Sequence, residues 1–138
     1  MKIVIDTNVV ISAALGSNTC KHAILRALNE EHEVVEPKII SLELERFVKK
    51  IKEKGSFPQE KVYDIHNFFK VFIALVKICK PNEIMSISPD KPDNFFLSLA
   101  AEKSALFISG DKLALKSGKS AGIFAMSPKE WKNFQEEY

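Results

Sequence analysis

The chain has 138 residues, 46% of them hydrophobic and 28% charged. At roughly 100–200 residues per domain, this describes one domain with a real core and excludes wholesale disorder or a collagen-like repeat. Lys and Arg number 20 and Asp and Glu 18, a formal charge of +2, which is too even for net charge alone to mark a nucleic-acid binder.

Residues 2–5 form a short β-branched apolar run, as suits a central parallel strand buried on both faces. The stretch from Met1 to Leu15 superficially resembles a signal peptide. Asp6 and Asn8 interrupt it, however, and no run approaches the roughly 18 apolar residues that a membrane span needs. The expectation is a soluble cytoplasmic protein with no membrane partner. The chain turns around Gly16, and residues 21–28 read as a helix with Ala23, Ile24, Ala27 and Leu28 inward. Residues 33–35 suggest a second strand. Pro37 opens a longer helix that Gly55 stops after Lys54.

Residues 59–80 read as another helix, rich in phenylalanine and ended by Pro81; its Phe68 to Phe72 stretch suits core packing or a homodimer contact. Residues 84–87 are either a short strand or an extended connector. Pro92 occupies a helix N1 position, and that helix continues through Ala101. Residues 105–109 and 122–125 read as strands. Ser127-Pro128-Lys129-Glu130 is a capping box with proline at N1, introducing a last helix. Strands alternating with helices predict an α/β fold with a parallel sheet, in a single domain over residues 1–138.

The carboxylates fall at informative places. Asp6 directly follows the first strand and Asp111 follows the strand that ends near Ser109. Ligands of open parallel sheets sit beyond the carboxyl ends of the strands, so both acids stand at the expected active edge. Asp93 lies in the first turn of the helix opened by Pro92, with Asp90 just upstream. Each alone also suits helix capping. Glu43 is different. On a helical wheel with Ile39 at 0°, it falls at about 40°, on the arc shared by Phe47 and Ile40 that must pack on the body of the protein. A partly buried carboxylate there is costly unless Arg46 or Lys50 pairs with it or a cation binds it. Four acids suit a hard divalent cation such as Mg²⁺ or Mn²⁺, and carboxylates with a metal suit phosphodiester hydrolysis.

Other motifs fail. His22, His32 and His66 have no ligand spacing. Cys20 and Cys79 form no CxxC pair and read as buried or half-buried thiols, against both a disulfide scaffold and zinc. Ser117-Gly118-Lys119-Ser120 is similar to the tail of a P-loop, but Leu113 stands where its first glycine belongs; a polar loop is expected there. Asp6-Thr7-Asn8 lacks the second acid of a phosphotransferase Asp-x-Asp.

Taken in order, four segments resemble those of PIN-domain nucleases. Ile3-Val4-Ile5-Asp6-Thr7-Asn8-Val9 is similar to that family's opening strand with Asp-Thr-Asn, and Glu43 follows on the helix after the second strand. The run from Asp93 to Ala100 is similar to its Asp-x-x-x-x-x-x-Ala helix. The segment Leu106-Phe107-Ile108-Ser109-Gly110-Asp111 is similar to its strand and Thr-x-Asp turn.

This resemblance implies a three-layer α/β/α sandwich around a central parallel sheet, and a metal-dependent endoribonuclease that binds Mg²⁺ or Mn²⁺. Asp6, Glu43, Asp93 and Asp111 would be its catalytic, metal-binding acids, with Asn8 and Ser109 as polar supports. Ser109 replaces the usual Thr and keeps the hydroxyl. Leu113 stands near where many relatives carry a further Asp, a position bearing on a second metal, for which Asp90 either compensates or merely caps. Many family members are toxins, so an antitoxin protein is an implied partner beside the RNA substrate. Lys91, Lys112 and Lys116 flank the acids as candidate phosphate contacts, whereas Lys49, Lys50, Lys52 and Lys54 read as a solvated helix face. The competing readings are a non-catalytic nucleic-acid-binding or assembly module on the same fold and, more remotely, a receiver-like phosphoacceptor domain.

Overall fold

The computed structural model describes residues 1–29 and 31–135. Its elements are β1 (Lys2–Ile5), α1 (Thr7–Ala14), α2 (Asn18–Ala27), β2 (Glu33–Glu36), α3 (Ile39–Lys54), α4 (Gln59–Leu75), β3 (Lys77–Ile78), α5 (Asp93–Lys103), β4 (Leu106–Ile108), α6 (Lys112–Ser120), β5 (Ala125–Met126) and α7 (Pro128–Asn133). The five strands form one sheet in the order β3-β2-β1-β4-β5, and every neighbouring pair is parallel. The α/β architecture expected from the alternation is the one observed.

The strand order explains the layers. Right-handed crossovers place helices on one face when the chain steps from β1 toward β3, and on the opposite face when it steps from β4 to β5. Accordingly α1 packs on α2, α3 and α4, while α5 and α6 pack on the central strands and β5. The core is continuous across the sheet: Ile3, Val4, Ile5, Phe107 and Ile108 are essentially inaccessible, as befits strands covered on both sides. The terminal helix α7 returns to α2. There the Trp131 indole N–H donates to the Ala23 carbonyl at 3.1 Å, and the Arg26 guanidinium lies 4.2 Å from the ring centre.

Local signals hold where they are strong. Gly55 closes α3 at φ 61°, a left-handed conformation that glycine adopts without a Cβ penalty. The Ser127–Glu130 capping box is complete in both directions. Three expectations are corrected. Residues 76–80 are not helix: α4 ends at Leu75, and Lys77–Ile78 pairs with β2, extended by a Cys79 N–H to Glu36 carbonyl bond of 2.8 Å. The strand expected at residues 122–125 is displaced to Ala125–Met126, whereas residues 84–87, open between a short strand and a connector, are a connector. The expected polar loop around Gly118 is the second half of α6; Gly118 is buried there, where a Cβ would stand 3.1 Å from Leu97 Cδ2. That glycine serves helix packing.

Candidate functional site

The strand order reverses between β1 and β4, the two central strands, and a crevice opens at such a switch point because neighbouring crossovers leave to opposite faces. Asp6 follows β1 and Asp111 follows β4, so the reversal brings together two acids 105 positions apart in sequence. A cleft of about 420 Å³ lies there. Its walls include Asp6, Glu43, Asp93 and Asp111, with Asp90, Asn8, Thr7, Arg46 and Lys50.

Each acid is held by a hydroxyl or amide from another segment or from its own loop. Asp6 stands at the N-cap position of α1 but its side chain does not cap that helix. Instead its Oδ2 accepts from Ser109 Oγ at 2.8 Å and from Asn8 Nδ2 at 3.2 Å. The Ser109 hydroxyl in turn accepts from the Asp111 N–H at 3.0 Å, and Asn8 Oδ1 accepts from the Gly110 N–H at 3.0 Å. Asn8 and Ser109 thereby lock the β4 turn onto the start of α1. Glu43 Oε1 accepts from Thr7 Oγ1 at 2.7 Å, and among the described residues it has no ion pair with Arg46 or Lys50.

Asp93 is buried, and its Oδ2 accepts from Ser88 Oγ at 3.2 Å. Asn94 fixes the loop that carries Ser88: its Oδ1 accepts from the Ile87 and Ser88 N–H groups, and its amide donates to the Ser88 carbonyl. Asp111 does cap, accepting from Leu113 N–H at 3.1 Å, and is half-buried. Lys91, Lys112 and Lys116 are exposed and stand outside the lining of the cleft.

Electrostatics register this crowding. Burial, and then the nearby Asp93 and Glu43, push the Asp6 carboxyl up to about 7, against the lowering effect of Ser109. Asp93 is pushed up to about 6 by burial, then by Asp90, with Asp111 and Glu43 adding to it. Asp6 therefore senses Asp93 and Glu43, and Asp93 senses Asp90, Asp111 and Glu43, across the cleft.

The family profile described as PIN domain matches residues 2–112, from β1 to the first residue of α6. The chain belongs to the PIN-domain family. It is 32% identical over 117 residues to the uncharacterized protein MJ1680 of Methanocaldococcus jannaschii, covering 81% of this chain and 72% of that protein. Its fold is similar to a chain of VapBC2 from Rickettsia felis, solved bound to a DNA fragment from their promoter. That match has a TM-score of 0.67 at 12% identity and covers 92% of this chain and 98% of that one. A domain of a functionally unknown protein from Methanocaldococcus jannaschii matches with a TM-score of 0.61 at 19% identity, over 99% and 95% of the two chains.

Nucleases of the PIN-domain family typically use divalent metals, and the donor set of this PIN domain is of the matching kind: carboxylate oxygens with hydroxyls behind them. Among the described residues, no three Asp, Glu, His or Cys side chains close into a ready-made ligand cage. Mg²⁺ requires no such cage, since it keeps several waters and binds through one or two carboxylates. The residues fit a hydrated divalent cation. The three histidines and both cysteines lie outside the cleft lining, and both cysteines are free and half-buried. Among the described residues, no helix is long and apolar enough to cross a membrane.

Sequence reasoning missed several groups of the site. Thr7 holds Glu43 and Ser88 holds Asp93, while Arg46 and Lys50, read from the sequence as pairing partners of Glu43 or a solvated face, line the cleft. It also missed Glu36, the last residue of β2, which is fully buried. Glu36 Oε1 accepts from the Ile5 N–H at 3.0 Å, and its Oε2 has no hydrogen-bond partner among the described residues. Burial, with Asp6 adding to it and the Ile5 N–H opposing, raises this carboxyl well above the ordinary value. The available signal was the one that picked out Asp6, an acid closing an apolar β-branched run.

Proposed function

We propose that this PIN domain is a metal-dependent endoribonuclease in which Asp6, Glu43, Asp93 and Asp111 hold Mg²⁺ or Mn²⁺. The carrying observation is that carboxylates from four separate segments line one cleft at the switch point of the sheet. A divalent cation bound there supplies charge neutralisation for a phosphodiester and lowers the pKa of a bound water.

The protein's own contribution is orientation. Ser109 and Asn8 fix Asp6, Thr7 fixes Glu43, and Ser88 fixes Asp93. The raised carboxyls of Asp6 and Asp93 must lose their protons for the site to load, which couples metal binding to pH. The similarity to VapBC2 supports a further step, that the protein is the toxin of a cytoplasmic toxin–antitoxin pair. The runner-up is a non-catalytic nucleic-acid-binding or assembly module on the same fold.

The test is cleavage of a mixed labelled RNA pool by purified protein with Mn²⁺, with Mg²⁺ and with EDTA, beside Asp6→Asn prepared identically. Cleavage that needs metal and vanishes in the variant is the expected result. RNA retention without turnover, unchanged by EDTA, establishes the binding module instead.

A further inference from the structure

Besides its acids, the cleft holds two cations that form no ion pair with them among the described residues. Arg46 and Lys50 line it, both are exposed, and neither has an ion-pair partner among the described residues. The helix explains their placement. On the wheel that sets Ile39 at 0°, Glu43 falls at about 40°, Lys50 at about 20°, Lys54 at about 60° and Arg46 at about 340°. One face of α3 thus carries the acid into the cleft and then presents three cations in successive turns. Lys50 and Lys54 lie about 10 Å and about 16 Å beyond Glu43 along the axis. Lys49 and Lys52, at about 280° and about 220°, point elsewhere. Glu53, at about 320°, lies at the edge of the face and is exposed.

We infer that the Arg46–Lys50–Lys54 face of α3 is a track for the phosphates of a nucleic-acid strand, gripping the strand beside the acids and leading it away from the cleft. The inference rests on the nuclease reading for what happens at the acids, but binding tests it independently of turnover. Arg46 and Lys50 line the same cleft as the carboxylates yet form no ion pair with them among the described residues, while Glu43 takes its hydrogen bond from Thr7. Two cations left free beside four acids suit a ligand that is itself polyanionic. Phosphates fulfil this condition, and the regular i, i+4, i+8 spacing suits a strand with repeating charge.

The experiment compares two charge-matched double variants in EDTA, with fluorescence anisotropy of a labelled single-stranded RNA and of the DNA of the same sequence. Arg46→Gln with Lys50→Gln removes the track beside the cleft. Lys49→Gln with Lys52→Gln removes two charges from the outer faces of the same helix. All four residues are exposed, so thermal melts are expected to coincide with that of the wild type.

At low salt, the first pair should weaken binding about tenfold or more and reduce the slope of log affinity against log salt by about 1.4, at about 0.7 per single-strand phosphate contact. The second pair should change affinity less than about twofold, and adding Lys54→Gln to the first should lower the slope by a further ~0.7. Equal losses in both pairs would reduce the effect to net charge and overturn the track, as would no loss in either. Loss for RNA with none for DNA would overturn the phosphate reading in favour of contacts to the ribose hydroxyl. If wild-type protein cleaves nothing yet the first pair alone loses binding, the nuclease reading fails and the track stands.

Discussion

Replacing Asp6 by Asn should make the metal-free protein more stable at alkaline pH while abolishing its cleavage of RNA. The Asp6 carboxyl is pushed up to about 7 in the folded protein, chiefly by burial, from an ordinary value of 3.8. A group raised in this way favours folding most below about pH 4, where both states are protonated, and its contribution declines as pH rises through about 7. A rise of about three pH units corresponds to about 4 kcal/mol at about 1.4 kcal/mol per unit.

Asn removes that penalty. Its amide oxygen can still accept from Ser109 and Asn8, but its NH₂ replaces the second carboxylate oxygen in a buried site, a loss of about 1 kcal/mol. The variant should therefore exceed wild type by about 3 kcal/mol at pH 8 in EDTA, equivalent to about 10 °C in Tm for a chain of this size. At pH 5 the two should agree to within about 1 kcal/mol. Saturating Mn²⁺ should narrow or reverse the order at pH 8, because only wild type gains from the ion through this residue. Urea denaturation across this pH range measures all three. A variant less stable than wild type at pH 8 in EDTA, or a difference independent of pH, would refute the account of a crowded, desolvated carboxylate.

The other expectations follow from neighbouring groups. Calorimetric Mn²⁺ affinity should fall about tenfold per pH unit below about pH 7, and more steeply below about pH 6, because Asp6 and then Asp93 must release a proton; a flat profile from pH 5.5 to 7.5 would contradict this. Ser109→Ala should raise the Asp6 carboxyl further and cost about 1 kcal/mol, whereas Ser109→Thr restores the hydroxyl; NMR titration of the carboxyl resolves the two. Glu36→Gln should be near neutral at pH 6, since it keeps an acceptor for the Ile5 N–H, while Glu36→Ala leaves that donor unpaired in a cavity and should cost about 2–4 kcal/mol by chemical denaturation. Trp131→Ala should cost about 3–5 kcal/mol, as it removes a fully buried ring and its hydrogen bond to α2; a loss below about 1 kcal/mol would show that α7 is not coupled to the core.

Local chemistry determined much of this protein. The β-branched run of β1, the Gly55 stop, the capping box at Ser127 and the alternation of strands with helices are all consequences of backbone sterics and hydrogen-bond satisfaction within a few residues. So were the positions of Asp6 and Asp111 at strand ends and of Glu43 on an inward helix face. Tertiary structure decided what such reasoning cannot reach. The two-residue strand β3 exists because β2 offers it a backbone partner, and α1 is a helix although its apolar residues, among them Val9, Val10 and Ile11, carry no clear period. The convergence of Asp6, Glu43, Asp93 and Asp111 depends on strand order, because a crevice forms only where neighbouring crossovers part between β1 and β4. Glu36, Thr7 and Ser88 became recognisable only then, since each matters through a partner brought to it from another part of the fold or by the closing of its own loop. The charge of a side chain is written in the sequence; whether it is buried, paired or left free is set by the groups that folding packs around it.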